Sequence, residues 1–353
     1  MAVVISGIQQ LGIGIPNVHE AFDFYRKNFG MDIKVFEEAA DAALMLPYTQ
    51  NEVRSRHAIL AMNIQSGGGF EIWQYTSRTP QLPEFEVKLG DYGLYIGKIR
   101  SYDVAKTYEQ FKKDGVQLDS ELLEMPNGQK HFFMSDPYGN RFQIVPDGYV
   151  FKNTGGLTAG PMGGIIGVSD VEKSKTLYSD VLGYDKVIYD ETGTFEDLKG
   201  LPEGGGKFRR VLLTHSKPRN GAFSKLIGPT QIELIQSLDR TDCRKIFENR
   251  DWGDRGFIHL CFDINGMDEL MQLCESKGFP FTVDSANSFD MGEAAGRFSY
   301  IEDPDGYLIE FVETHKVPVM KKLGWYINLK KRDPQKPLPD WMLKAMHLTR
   351  VKG

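Results

Sequence analysis

Cysteine is scarce in this chain: three in 353 residues, Cys243, Cys261 and Cys274, with no CxxC or paired spacing. That excludes a disulfide-stapled secreted scaffold. With no secretory signal ahead of them, a reduced, cytoplasmic setting is expected. Long apolar runs are also missing, and nothing approaches the about 20 consecutive residues that span a bilayer, so no membrane partner is expected. The segment Met1–Pro16 is apolar but contains Gln9 and Gln10 and no basic stretch, and reads as a first strand. Basic excess is absent too: the net charge is −6, which argues against nucleic acid as a partner.

What charge there is lies unevenly. From Lys316 onward the sequence holds ten Lys/Arg and two Asp, a net of +8, which leaves −14 for the remainder. That tail also carries Trp325, Tyr326, Ile327, Leu329, Trp341 and Met342. A nucleic-acid arm would lack such side chains, so the tail, residues 316–353, is expected to pack across the acidic body.

The organising feature is an internal repeat. Four segments share an apolar strand, a small polar cap, an amphipathic helix and a glycine. They run from Ile13 through Asn17 to Gly30, from Ile96 through Ser101 to Gly115, from Ile165 through Ser169 to Gly183, and from Leu260 through Asn265 to Gly278. Cap and glycine are 13 or 14 residues apart in every copy. Asn and Ser side chains can accept the free N–H groups of a first helical turn, and glycine takes the left-handed conformation that ends a helix. Ala21, Phe22, Tyr25 and Phe29 fall at helical spacing, as do Val171, Ser174, Leu177, Tyr178 and Val181. After the second and fourth helices, Asp136-Pro137-Tyr138-Gly139 and Asp303-Pro304-Asp305-Gly306 read as hairpin turns. Each leads into a strand, Phe142–Val145 and Leu308–Val312.

A longer repeat relates the halves. Glu71-Ile72-Trp73-Gln74 resembles Glu233-Leu234-Ile235-Gln236 at an offset of 162, and Tyr25 and Gly30 match Tyr178 and Gly183 at 153. The expected division is therefore residues 1–150 and 156–315, each a pair of modules, joined across Gly155-Gly156, with the basic tail following. In these motifs the chain resembles the vicinal oxygen chelate superfamily of glyoxalases, bleomycin resistance proteins and extradiol dioxygenases. The resemblance runs to about residue 315. It implies an α+β fold of four βαβββ modules paired into two domains, each with a U-shaped cleft of β-sheet.

It also implies where ligands would sit: His on a module's first strand and Glu on its last. In the C-terminal half those positions hold Gly163, Glu233, His259 and Glu310. His259 and Glu310 lie in apolar strands, where an ionised or polar group needs a cation or several donors. A divalent metal (Fe, Mn, Zn, Co or Ni) bound by His259, Glu310 and Glu233 meets that need, against a metal-free His–Glu pair as the bland alternative. For Glu233 a ligand role and a structural role are equally weighted, because Glu71 matches it. Gly163 stands where the family's dioxygenases carry a further His; His215 or another donor could fill that gap, although His215 is more simply read as a strand-end residue near solvent. The N-terminal half offers Gln10, Glu71, Leu94 and Gln143. Leu94 has no lone pair and the amides bind metals poorly, so that half is expected to be metal-free.

The resemblance thus implies a metal-dependent enzyme of glyoxalase, epimerase or isomerase type. It would act on a small molecule with vicinal oxygens, with Glu233 and Glu310 as base and ligand in either order. Extradiol dioxygenase chemistry is the alternative enzyme. A non-catalytic binder using Trp73, Tyr75, Tyr92 and Tyr95 is the alternative of another class. A small-molecule substrate is the expected partner, and a homo-oligomer is compatible with everything above.

Overall fold

In the computed structural model, residues 3–286, 289–290, 295–320 and 325–351 are described. The four helices are present, at Val18–Phe29, Val104–Lys113, Val171–Tyr178 and Met267–Ser276. Asn17 caps the first as expected, accepting from the N–H groups of His19 and Glu20 at 3.1 and 3.3 Å. The other caps fall one or two residues later than expected. Asp103 and Asp170 cap the second and third helices, and the fourth starts after Gly266 with no side-chain cap. Ser101 is instead buried at a strand end, where its hydroxyl bonds the Thr107 hydroxyl at 2.8 Å. No described helix is long and apolar enough to cross a membrane.

The strands form two nine-stranded sheets, and their order corrects one expectation. Module one's opening strand, Val4–Gly14, pairs antiparallel with module four's, Gly256–Asn265. Module two's opening strand, Gly93–Ser101, pairs likewise with module three's, Thr158–Gly167. Each sheet is thus shared between the halves, rather than belonging to residues 1–150 or 156–315. The closing strands flank these central pairs in parallel: Gly69–Tyr75 and Leu308–Thr314 in the first sheet, Gln231–Ser237 and Arg141–Pro146 in the second.

What holds consecutive modules together is the helical layer between the sheets. Tyr25, on the first helix, meets Phe70 of the first sheet and Phe142 of the second, at ring-centroid distances of 4.8 and 6.1 Å. Its hydroxyl donates to Asp136 at 2.6 Å, in the Asp-Pro-Tyr-Gly turn of module two. Tyr178 does the same to Asp303 of module four at 3.0 Å. One apolar core therefore spans both sheets and all four helices.

The C-terminal segment packs as its composition suggests, although residues 321–324 lie outside the described residues. Leu329, Leu338 and Leu343 are buried against Ile33, Met62, Ile64 and Leu226. Arg350 pairs with Asp32, and Asp340 with Lys225 at 2.7 Å. Trp341, by contrast, is 61% exposed.

Candidate metal centre

The central strand pair of the first sheet sets His259 directly opposite Gly12, and Gly12 in turn lies beside Glu71 on the neighbouring parallel strand. A Cβ at Gly12 would stand 2.4 Å from His259 Cε1, so only glycine leaves room for the ring. From the other side, module four's closing strand brings Glu310. Glu71, His259 and Glu310 thereby converge, with one donor atom of each within 4.8 Å of the others. His259 Nε2 is 3.3 Å from Glu71 Oε2 and 3.1 Å from Glu310 Oε2. Gln10 completes the group, its amide nitrogen 3.2 Å from Glu71 Oε2 and 3.3 Å from Glu310 Oε2.

All four side chains are out of solvent: His259 is 0% exposed, Gln10 4%, Glu310 6% and Glu71 9%. Burial and the nearby Glu71 charge raise the Glu310 pKa, although His259 opposes them. Three buried polar atoms are left without an aligned partner: both ring nitrogens of His259 and Oε1 of Gln10. Such orphans are uncommon in protein interiors. A carboxamide can turn to present either its oxygen or its nitrogen.

This donor set fits a divalent cation. Nitrogen and oxygen donors held about 2.1 Å from one ion lie roughly 3.0–3.4 Å apart around it, and the spacings here fall at that value. Imidazole, two carboxylates and an amide oxygen suit Zn, Fe, Mn, Co or Ni. Among the described residues neither glutamate is paired with a Lys or Arg; burial lowers the His259 pKa, but Glu310 and Glu71 outweigh it and raise it, so one imidazolium at most faces two carboxylates.

A segment from the loop ahead of module four's opening strand covers the site. Trp252 lies over His259 with the rings 15° from parallel and 6.0 Å apart. Its carbonyl accepts the Tyr75 hydroxyl, and its indole packs edge-on against Trp73 at 4.3 Å. Next to it, the buried Asp251 carboxylate accepts from Gln50, Arg54 and Arg78 at 2.8, 2.9 and 2.5 Å. Tyr300 donates to Glu310 Oε1 at 2.9 Å and leaves Oε2 turned toward the other three side chains.

Glu233 is elsewhere, which corrects its assignment alongside His259 and Glu310. It lies in the second sheet, where its Oε2 accepts from Lys98 Nζ at 2.7 Å and its Oε1 from Arg210 Nε and the Tyr189 hydroxyl, both at 2.8 Å. Arg210 also grips Asp197 at 2.8 and 2.9 Å. Burial alone would raise the Glu233 pKa, but Arg210 and Lys98 outweigh it and hold the carboxyl far below the usual range. With both oxygens engaged and two buried cations beside them, a metal ion would meet like charge here. Gln143 reaches His131 Nδ1 at 3.0 Å in the same cluster.

The register also revises the second sheet's counterpart of His259. A one-residue bulge follows both Phe257 and Leu94, so Ile96, not Leu94, occupies that place. Gly163 has φ +147 and a Cβ there would strike Gln231 O at 1.6 Å, so no ligating side chain fits. His215 is remote, bonded to Lys217 O at 2.7 Å and to Thr230 N at 3.3 Å. Gln10 and Glu71, set aside with the N-terminal half, belong to the site. Lys98 and Arg210 were not recognised at all, although a cation in an apolar strand signals a buried anion.

Two sequence profiles of the Glyoxalase/Bleomycin resistance protein/Dioxygenase superfamily match residues 7–144 and 165–299. The chain belongs to that superfamily. Among solved structures, a point mutant of glyoxalase I from Zea mays aligns at 15% identity over 87% of this chain and 93% of its own, with a TM-score of 0.56. A candidate dioxygenase from Bacillus subtilis subsp. subtilis str. 168 aligns at 15% identity over 88% and 86%, with a TM-score of 0.57. A comparison with curated protein sequences returns no match.

Proposed function

We propose that the protein is a metal-dependent lyase or isomerase of the glyoxalase type, acting on a small molecule that carries a carbonyl beside a hydroxyl. One observation carries this reading: Gln10, Glu71, His259 and Glu310 converge in a buried site with two carboxylates and no Lys or Arg paired to them among the described residues. A bound divalent ion would act as a Lewis acid on the substrate's adjacent oxygens. Gln10, Glu71 and His259 would hold it, with Glu310 as a fourth donor that can leave the ion for the substrate. Glu310 is the group we assign to move the proton from one carbon to its neighbour, because Tyr300 fixes Oε1 and leaves Oε2 facing the centre. The C–H bond would break at the hydroxyl-bearing carbon and form at the former carbonyl carbon, while the hydroxyl proton passes to the former carbonyl oxygen, with no net redox change. Trp252 and Trp73 close the site against water, which would otherwise exchange the proton and weaken each polar contact.

The dioxygenase alternative fits less well. Non-haem iron oxygenases use two His and one carboxylate, whereas this site has one His, and His215 is too far to add a second. The pure binding alternative gives no role to the two carboxylates gathered on His259. The test loads metal-free protein with Zn, Ni, Co, Mn or Fe in turn and follows deuterium incorporation from D2O into α-hydroxycarbonyl compounds. Metal-dependent incorporation or isomerisation, lost in Glu310→Gln with metal retained, is expected. Full metal occupancy with neither isomerisation nor proton exchange on any such compound would overturn the reading, and oxygen consumption with iron would favour the dioxygenase.

A further inference from the structure

We infer a second divalent-metal site on the surface, formed by His19, Glu37 and His57. The inference does not depend on the buried centre. Three elements bring the residues together. Glu37 lies on the edge strand Ile33–Asp41, and His57 on its antiparallel neighbour Ser55–Met62, where it pairs with Ala39. Residues two apart on a strand share a face, so Glu37 and His57 are diagonal neighbours on one side of the sheet. The helix packed on that side supplies His19 from its first turn, fixed there by the Asn17 cap.

The geometry is that of a donor set. Glu37 Oε1 lies 3.2 Å from His57 Nε2 and 3.7 Å from His19 Nε2, and the three donor atoms are mutually within 4.8 Å. The imidazole rings meet edge to face at 5.2 Å, which turns both Nε2 atoms toward the same carboxylate oxygen. Donors bound to one zinc at about 2.1 Å stand roughly 3.4 Å apart in a tetrahedral shell. Small side-chain movements therefore suffice to close around an ion. Lys34 holds the other carboxylate oxygen, Oε2, which fixes the orientation of Oε1 but places a competing positive charge nearby.

Two imidazoles and one carboxylate select Zn2+, Ni2+, Co2+ or Cu2+ over Mg2+ and Ca2+, which prefer all-oxygen shells. The His19 side chain is 63% exposed, and those of Glu37 and His57 are each 26% exposed. An ion here would thus keep solvent-facing positions for water or an external ligand. It would also tie the helix's first turn to the sheet edge.

Zn2+ titration of metal-free protein, followed by calorimetry and elemental analysis, tests the inference. The full chain should take up two equivalents, His19→Ala/His57→Ala one, and His259→Ala one. Lys34→Met should tighten the surface site several-fold by removing the competing charge. Nickel should shift or broaden the ring resonances of His19 and His57 in the full chain. An unchanged Zn2+ stoichiometry in the His19→Ala/His57→Ala variant would overturn the surface site, whatever the buried centre does. Loss of an equivalent in that variant alone, with none lost in His259→Ala, would uphold the surface site and sink the buried one.

Discussion

Glu71→Gln and Glu233→Gln should have opposite consequences, although the two residues occupy equivalent places in matching strands. Glu233 is 0% exposed and accepts three hydrogen bonds, two of them from the buried cations Lys98 and Arg210. Neutralising it leaves two buried positive charges facing only Asp197. Breaking a buried pair from one side costs about 3–5 kcal/mol. At roughly 2 °C per kcal/mol for a large chain, that lowers Tm by about 6–10 °C. The sign over pH is fixed by the depressed folded pKa. The contribution is complete above the unfolded carboxyl value and is lost only as pH falls through the much lower folded one. The full loss should therefore appear anywhere from pH 5 to 8. Glu71→Gln instead removes an anionic donor from the centre. Metal affinity should drop about 100-fold or more, roughly 2.8 kcal/mol, while stability measured in chelator stays close to wild type. Chelator must be present in the unfolding runs, because bound metal itself stabilises the fold. Competition for Zn2+ against a chromophoric chelator, alongside urea unfolding, gives both numbers. If Glu233→Gln loses metal, or Glu71→Gln keeps full affinity, the assignment of the two sheets to different roles is wrong.

Gly12→Ala should weaken metal binding at least tenfold without deleting a ligand, because its Cβ would stand 2.4 Å from the His259 ring; chelator competition reads it. Tyr25→Phe and Tyr178→Phe each remove a buried donor to a turn aspartate and should cost about 1–3 kcal/mol in denaturant unfolding, leaving metal affinity unchanged. His131 is buried with its pKa lowered by desolvation, against the pull of Asp197, so the unfolded chain takes up its proton first as pH falls. Stability should therefore decline below about pH 6.5, and His131→Gln should decline less between pH 7.5 and 5.5; equal slopes would show that His131 stays out of the acid response.

Much of the architecture was legible because its signals are local. Helix caps, helix-ending glycines and Asp-Pro-x-Gly turns act within a few residues, so four modules could be counted from spacing alone. The partner of each sheet edge is not local. Module one's first strand can pair with that of module two or module four, and either choice buries the same apolar faces. The sequence-based choice followed proximity along the chain, whereas Tyr25 and Tyr178 turn out to link consecutive modules through helices and turns instead. The site inherited that error. Gln10, Glu71, His259 and Glu310 were all recognised as ligand positions, but they were sorted into two incomplete sets. Chemistry alone does not sort them, because Gln143 and Glu233 carry lone pairs too; the strand pairing that sets Lys98 and Arg210 beside Glu233 does.

Charge accounting in the two sheets separates the glutamate proposed as a ligand from its counterpart, which is a brace. Around Glu233 the second sheet sets Lys98 and Arg210 against Glu233 and Asp197, a balanced set with short contacts and no acceptor of Glu233 left over. Such a cluster is closed electrostatically and needs nothing from solution. Around Glu71 the first sheet sets two carboxylates against at most one imidazolium, with both His259 nitrogens and Gln10 Oε1 lacking aligned partners. Buried negative charge without compensation costs several kcal/mol per group, and a proton on Glu310, whose pKa is raised, or a cation from outside offsets it. The same strand position is thus closed where the chain supplies Lys98 and Arg210, and open to a cation from solution where it does not.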